Sequence, residues 1–236
     1  MPRRAGARNQ DFGEKRADLL DALTDYAIAA SLTRPSLRQF AMAAGQSEPT
    51  LRHYFGDRQG LVIEIIENIS VRTADTWQEL RVPAESLQFA IRDFLDASES
   101  GLNDGLFIRA HAFGIIEGFA DPVVGRVYLH KMLEPSLSNL QIKLRSSPGG
   151  QRDEIELRAA SLLATAPLYV ISAHQYLLGG KEDLPIEVSA VYRHFQKLLG
   201  AAFANENDQS TARSSATSLS LVDQDATNRE DPPGQG

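Results

Sequence analysis

Residues 36–61 of this 236-residue chain, SLRQFAMAAGQSEPTLRHYFGDRQGL, bring together the side chains best placed to do chemistry. Ser36 and Gln39 have the spacing of a capping box. Leu37, Phe40, Ala41 and Ala44 recur at i, i+3, i+4 and i+7, which predicts a two-turn helix with one narrow apolar face. Gly45 can close that helix by taking a positive φ. Ser47 follows after one residue and predicts the N-cap of a second helix, its hydroxyl accepting from the amide near Thr50 for a gain of ~1 kcal/mol. Pro49 suits the first turn, where no amide donor is needed. Two short helices joined by a Gly-containing turn of three or four residues form a helix-turn-helix, and the alanines of the first let the second cross closely.

On the second helix Leu51 and Phe55, four apart, point inward and leave Glu48, Pro49, Arg52 and His53 outward. The N-terminal residues of such a helix can meet base edges in the major groove of DNA. Arg52 can contact phosphate or guanine O6/N7, Glu48 can accept from cytosine N4, and Pro49 can touch a thymine methyl. Arg58 follows the apparent N-cap Asp57, at a helix start where side chain and free amides both favour phosphate. The expected DNA-contacting set is Ser36, Arg38, Ser47, Glu48, Pro49, Thr50, Arg52, His53, Tyr54 and Arg58. Arg3, Arg4 and Arg8 lie in a polar leader that could form an arm over the backbone or minor groove.

At these residues the chain resembles the TetR family of transcriptional regulators. The family pattern maps onto Ala41, Ala44-Gly45, Gln46, Ser47, Thr50-Leu51-Arg52, Tyr54-Phe55, Arg58 and Leu61. Gln46 stands where the family usually has Val or Ile, and Arg52 where it usually has a Tyr that touches phosphate. The resemblance implies a DNA reader followed by a larger helical domain that binds a small molecule. Binding there would alter the separation of two readers in a dimer.

Positioning these side chains requires a helical scaffold, and the apolar pattern from Asp11 to Ala204 follows the helical period almost throughout. Leu19, Leu23, Tyr26, Ala27 and Ala30 form one stripe behind an acidic, capping-box-like start at Asp11 and Glu14. No alternating strand-like runs occur, and Pro or Gly falls between helical segments. The expected fold is all-α with about nine helices: a three-helix DNA-binding domain and a larger C-terminal helical ligand-binding and dimerisation domain. The expected division is a flexible basic arm over 1–10, the helix-turn-helix domain over 11–56, the C-terminal domain over 57–204 and a disordered acidic tail over 205–236. The tail is poor in aromatics and rich in Ser, Asn, Asp, Gly and Pro, so it cannot bury enough apolar surface to offset its ordering.

Within the C-terminal domain, LFIRAHAFGIIEGF (106–119) is apolar nearly all round yet carries Arg109, His111 and Glu117. Buried charges must be paired, so these either satisfy one another or meet a polar ligand group. Trp77, Arg109, His111, Phe113, Tyr128 and Tyr169 are the candidate ligand-binding residues, although the aromatics equally suit a core. Gly114 and Gly118 have the spacing of a close helix contact. The helices at about 152–178 and 186–203 are apolar on more than one side, which implies a second partner. They resemble the family's dimer-forming pair, and Leu163, Val170, His174, Val191 and Phe195 are the candidate interface residues of a four-helix homodimer seam.

The net charge of −7 argues at first against a nucleic-acid partner. By segment, however, residues 1–58 are net +2, 59–204 net −5 and 205–236 net −4. The base sits at the front and the acid in the body and tail. With no cysteine the chain has no disulfide, thiolate metal site or Cys nucleophile. No metal-binding pattern, phosphate loop, dinucleotide fingerprint or nucleophile elbow is present, so neither metal nor cofactor is expected, and an enzyme is not. The longest apolar run, Leu162 to Ile171, is about half the ~20 residues of a membrane span, so no membrane partner is expected and a cytoplasmic location is. The expected partners are double-stranded operator DNA, a small-molecule effector and a second copy. The alternatives are an all-α enzyme using Arg109, His111 and Glu117, or a dimeric interaction module without DNA binding.

Overall fold

The computed structural model describes residues 5–74, 81–150 and 152–201. Arg3, Arg4, Trp77 and the tail from 205 lie outside the described residues. All regular structure among them is helical. The helices are α1 (Ala5–Ala29), α2 (Leu37–Ala43), α3 (Glu48–Phe55), α4 (Arg58–Arg72), α5 (Leu87–Asp104) and α6 (Leu106–Ala120). They continue as α7 (Pro122–Tyr128), α8 (Glu134–Ser146), α9 (Glu154–Ile171), the short α10 (Gly180–Asp183) and α11 over 188–201. Wider π-helical stretches join α7 to α8 (Leu129–Leu133) and extend α9 (Ser172–Leu177). Those divisions and the short α10 account for the excess over the nine helices expected.

The first helix differs from expectation. It begins at Ala5, so residues 5–10, expected within a flexible basic arm, are the first turns of α1, and Asp11 lies within the helix and does not cap it. Ala, Arg and Gln are strong helix formers, and polarity alone does not end a helix.

The predicted caps around the turn are present. Ser36 accepts from the Gln39 amide and the Gln39 side chain returns to the Ser36 amide. Ser47 accepts from the Thr50 amide at 3.2 Å, Asp57 caps α4 through the Gly60 amide, and Gly45 takes a φ of 61°. These caps fix where α2 and α3 start. The buried faces of Leu37, Phe40, Ala41, Leu51 and Phe55 then fix how they cross. Each large side chain so buried contributes roughly 1.5–3 kcal/mol.

Two apolar cores run through the described residues. The first joins α1–α4 to α6 and α7: Leu23, Phe40, Leu51, Leu61, Ile65, Ile66 and Ile69 pack with Ala110, Phe113, Val124 and Tyr128. The second joins α5, α8, α9 and α11 through Phe94, Leu95, Leu140, Leu157, Leu168 and Tyr192, with Ile108 of α6. Helix α6 is thus a shared wall, and the expected boundary at residue 56/57 falls inside the first core. Two glycines of α6 make this packing possible. A Cβ at Gly114 would lie 2.2 Å from the Tyr128 ring, and one at Gly118 would lie 3.0 Å from Gly125.

The rod Glu154–Leu177 is 24 residues long with a mean hydropathy of 1.2, sufficient by length and composition to cross a bilayer. Run length alone had excluded this, because charged and polar residues interrupt the apolar positions. Leu157, Ala160, Ala164, Leu168 and Ile171 pack into the second core, while Ile155, Leu162, Leu163 and Val170 are exposed.

Candidate nucleic-acid interface

Helix α3 presents its outward row as the sequence predicts. Leu51 and Phe55 are buried, Pro49, Arg52 and His53 are exposed, and Glu48, Thr50 and Tyr54 are half-buried. The Arg52 guanidinium donates to Glu48 at 2.8 Å across one turn. An exposed pair of this kind is worth ~0.3–0.5 kcal/mol, so Arg52 can leave it for a phosphate or a base at little cost. Ser47 and Thr50 hydroxyls lie 2.8 Å apart and are engaged in the cap, and the Ser36 hydroxyl meets Gln39 at 2.9 Å. Arg38 is exposed on α2.

α1 buttresses the far end of α3. The Phe12 ring contacts His53 edge-on at 5.8 Å and Tyr54 at 4.9 Å between centroids. Arg16 lies over the Phe55 ring at 5.1 Å, pairs with Glu64 of α4 and donates to the Tyr54 carbonyl at 3.4 Å. Helix α3 is therefore clamped between α1 and α4.

Arg58 occupies a different place from the one expected for a phosphate contact. Its terminal nitrogens fork onto Glu117 of α6 at 3.0 and 2.5 Å, and its Nε donates to the Pro35 carbonyl at 2.8 Å. Arg34 adds a third donor to Glu117 at 3.3 Å from a backbone with φ 48°, the left-handed region. A non-glycine residue there costs of order 1–3 kcal/mol, held by the surrounding structure. Glu117 is wholly buried, which is tolerable because cations fill its acceptor sites. Beside it Gln59 donates to Asp121 at 2.7 Å, and the Val123 and Val124 amides donate to the same carboxylate. These bonds hold its pKa below the usual carboxylate range. The turn before α2, the start of α4 and the end of α6 are thereby pinned at one joint.

The expected trio of Arg109, His111 and Glu117 is not assembled. Arg109 is exposed, Glu117 belongs to the joint, and His111 turns to two tyrosines. Its Nδ1 lies 2.8 Å from the Tyr128 hydroxyl and 3.4 Å from that of Tyr169. Burial pushes the His111 pKa down to about 4, leaving the ring neutral, and pushes the Tyr169 hydroxyl up to about 12 and the Tyr128 hydroxyl higher still. Phe113 is buried in the first core.

His111 also lines a cavity of about 170 Å³ between α4, α6 and α8, with Ser70, Thr73, Arg81, Phe107, Lys131, Met132 and Asn139 among its walls. Sequence reasoning named only His111 of these, because α4, the turn at Arg81, α6, the stretch Leu129–Leu133 and α8 all contribute them. It also missed Arg34, for which the only signal was an arginine ahead of a proline. Of the candidate interface residues, Leu163, Val170 and Val191 are exposed, and His174 and Phe195 are half-buried.

The arrangement is that of an all-α protein with a capped helix-turn-helix set on a helical body. A Mesorhizobium loti MAFF303099 protein assigned to the TetR family of transcriptional regulators superposes with a TM-score of 0.55 at 19% identity, over 81% of this chain and 96% of that one. The fatty acid degradation regulator FadR from Bacillus halodurans superposes with a TM-score of 0.52 at 15% identity, over 78% and 94%. The chain has the fold of these regulators. No protein-family model and no curated protein sequence matches it.

Proposed function

We propose that this chain is a sequence-specific DNA-binding transcriptional regulator, a ligand-responsive repressor that binds a pseudo-palindromic operator as a homodimer in the cytoplasm. The observation that carries this reading is the outward row of α3, Glu48, Pro49, Arg52 and His53, on a helix capped at Ser47 and clamped by α1 and α4. Ser36, Arg38, Thr50 and Tyr54 flank that row at the ends of α2 and α3. Arg58 acts through the joint with Glu117, orienting the reader and not holding phosphate.

Dimerisation is supported by the uncovered stripe of α9, where Ile155, Leu162, Leu163 and Val170 are 49–77% exposed, beside Val191 and Leu198 of α11. Such a stripe suits an isologous four-helix seam. It would set two readers near ~34–36 Å apart, one turn of DNA. Ligand response is supported by the cavity, because Phe107, Ala110 and His111 on its wall share α6 with Glu117. An effector that prefers one position of α6 biases the reader through that joint, with a coupling of typically ~1–3 kcal/mol.

The test is selection of bound sequences from genomic DNA followed by mobility shift across a salt series. Binding to a dyad-symmetric site, with a log–log slope near about −0.9 per phosphate neutralised, supports the reading. Salt-independent binding, or none, overturns it.

A further inference from the structure

The cavity at α4, α6 and α8 carries more information than its presence. Its described lining includes two cationic side chains, Arg81 and Lys131, and no carboxylate. The buried Asn139 anchors Arg81 by accepting from its Nε at 2.7 Å, the one bond Arg81 makes among the described residues. Nε is thus engaged, while the terminal nitrogens can form the two-pronged fork that matches a carboxylate. Lys131 pairs with Glu67 of α4 at 3.3 Å, but both side chains are about half exposed, so the pair is easily exchanged. Phe107 and Met132 supply apolar wall, and His111, held neutral, adds no further charge.

A cavity of about 150 Å³ accommodates benzene, and this one measures about 170 Å³.

We infer that the effector is a small organic monocarboxylate, its apolar part about the size of one aromatic ring, whose carboxylate is taken by Arg81 and Lys131. This rests on the ligand-responsive reading above. The carboxylate competes with Glu67 for Lys131, so occupancy also releases a contact that ties α4 to the stretch between α7 and α8.

Benzoate, benzamide and benzamidine share one shape and differ in charge, so they test the inference directly, with hexanoate and hexanamide as a flexible pair. Affinity for the full chain is measured by titration calorimetry, and operator release by mobility shift. Benzoate or hexanoate is expected to bind at least about tenfold more tightly than its amide, and benzamidine most weakly, since hydrogen bonds to charged groups carry this discrimination. Arg81→Met is expected to erase the preference for the carboxylate with native helix content retained, the melt falling only by what the unpaired Asn139 amide costs. Lys131→Met, also at an exposed position, is expected to weaken carboxylate binding in the same direction. Failure of both carboxylates to bind, equal affinity for acid and amide, or an unchanged preference in both variants overturns the inference. If an amide binds and releases the operator, the anion class falls and ligand response stands. If a carboxylate binds in an Arg81-dependent way but leaves operator affinity unaltered, the anion site stands and ligand response falls.

Discussion

Arg58 and Glu117, 59 positions apart in the chain, form a forked ion pair in which the carboxylate is 1% exposed and the guanidinium 28%. The asymmetry in burial decides what each partner's loss does. A stranded Arg58 can turn to water, whereas a stranded Glu117 is left in the interior with Arg34 alone.

Arg58→Ala is therefore expected to destabilise the protein more than Glu117→Gln does. The figures are roughly 3 against about 1 kcal/mol, the first at the lower end of the range for a broken buried pair because Arg58 is partly solvated. Urea unfolding of both variants and of the double variant measures this. Equal losses would mean that the carboxylate reaches solvent. Operator affinity is expected to fall in both, since each unpins α4 from α6.

Arg52→Ala separates DNA contact from folding. Its only protein partner among the described residues is Glu48, an exposed i, i+4 neighbour, so stability should change by less than about 0.5 kcal/mol. Operator affinity should fall by ~1–3 kcal/mol, about 5- to 150-fold. A mobility shift and a thermal melt on the same sample check both. Unchanged affinity with an unchanged melt would remove Arg52 from the interface.

His111 links stability to pH. In the fold its pKa is lowered from 6.5 to about 4, so between those values the unfolded chain takes up a proton that the folded chain does not. Stability from this group is complete above the unfolded value and declines as pH falls towards about 4, by up to roughly 3 kcal/mol. His111→Gln keeps a polar partner for Tyr128 without the titration. The difference in unfolding free energy between wild type and variant should shrink by about that amount as pH falls from neutrality. A constant difference would show that the imidazole titrates normally.

Val170→Glu and Leu163→Glu place charge on the uncovered stripe of α9. Both positions are more than half exposed, so the monomer fold should be nearly unaffected, within about ±0.5 kcal/mol. Sedimentation equilibrium should show monomers with native helix content, and operator affinity should collapse because the two half-sites are no longer bound together. Persistence of a dimer in both would place the seam elsewhere.

The helix-turn-helix was legible because its determinants are local: a capping box over four residues, a glycine forced to positive φ, and Leu51 and Phe55 one turn apart. The same locality hid the partner of Arg58. Its position after Asp57 implied a phosphate contact, and nothing nearby reveals an acid on α6 that is more deeply buried than any surface group. The odd carboxylate in an apolar helix signalled a partner without saying which. The cavity was opaque for the same reason, since Arg81 in the turn before α5, His111 on α6 and Asn139 on α8 meet only after those elements have packed. Composition misjudged residues 5–10, where polar residues that suit an arm also suit a helix.

The shared wall formed by α6 bears on how this protein can be taken apart. A fragment ending after α4 would keep every residue that faces outward from α3, yet Leu61, Ile65 and Ile69 would lose Ala110, Phe113 and Tyr128, and Arg34 would lose the carboxylate that engages it. The helix-turn-helix is thus no portable head to be grafted onto another body. Domain exchange would succeed only if the splice falls beyond Leu133, carrying the first core across whole.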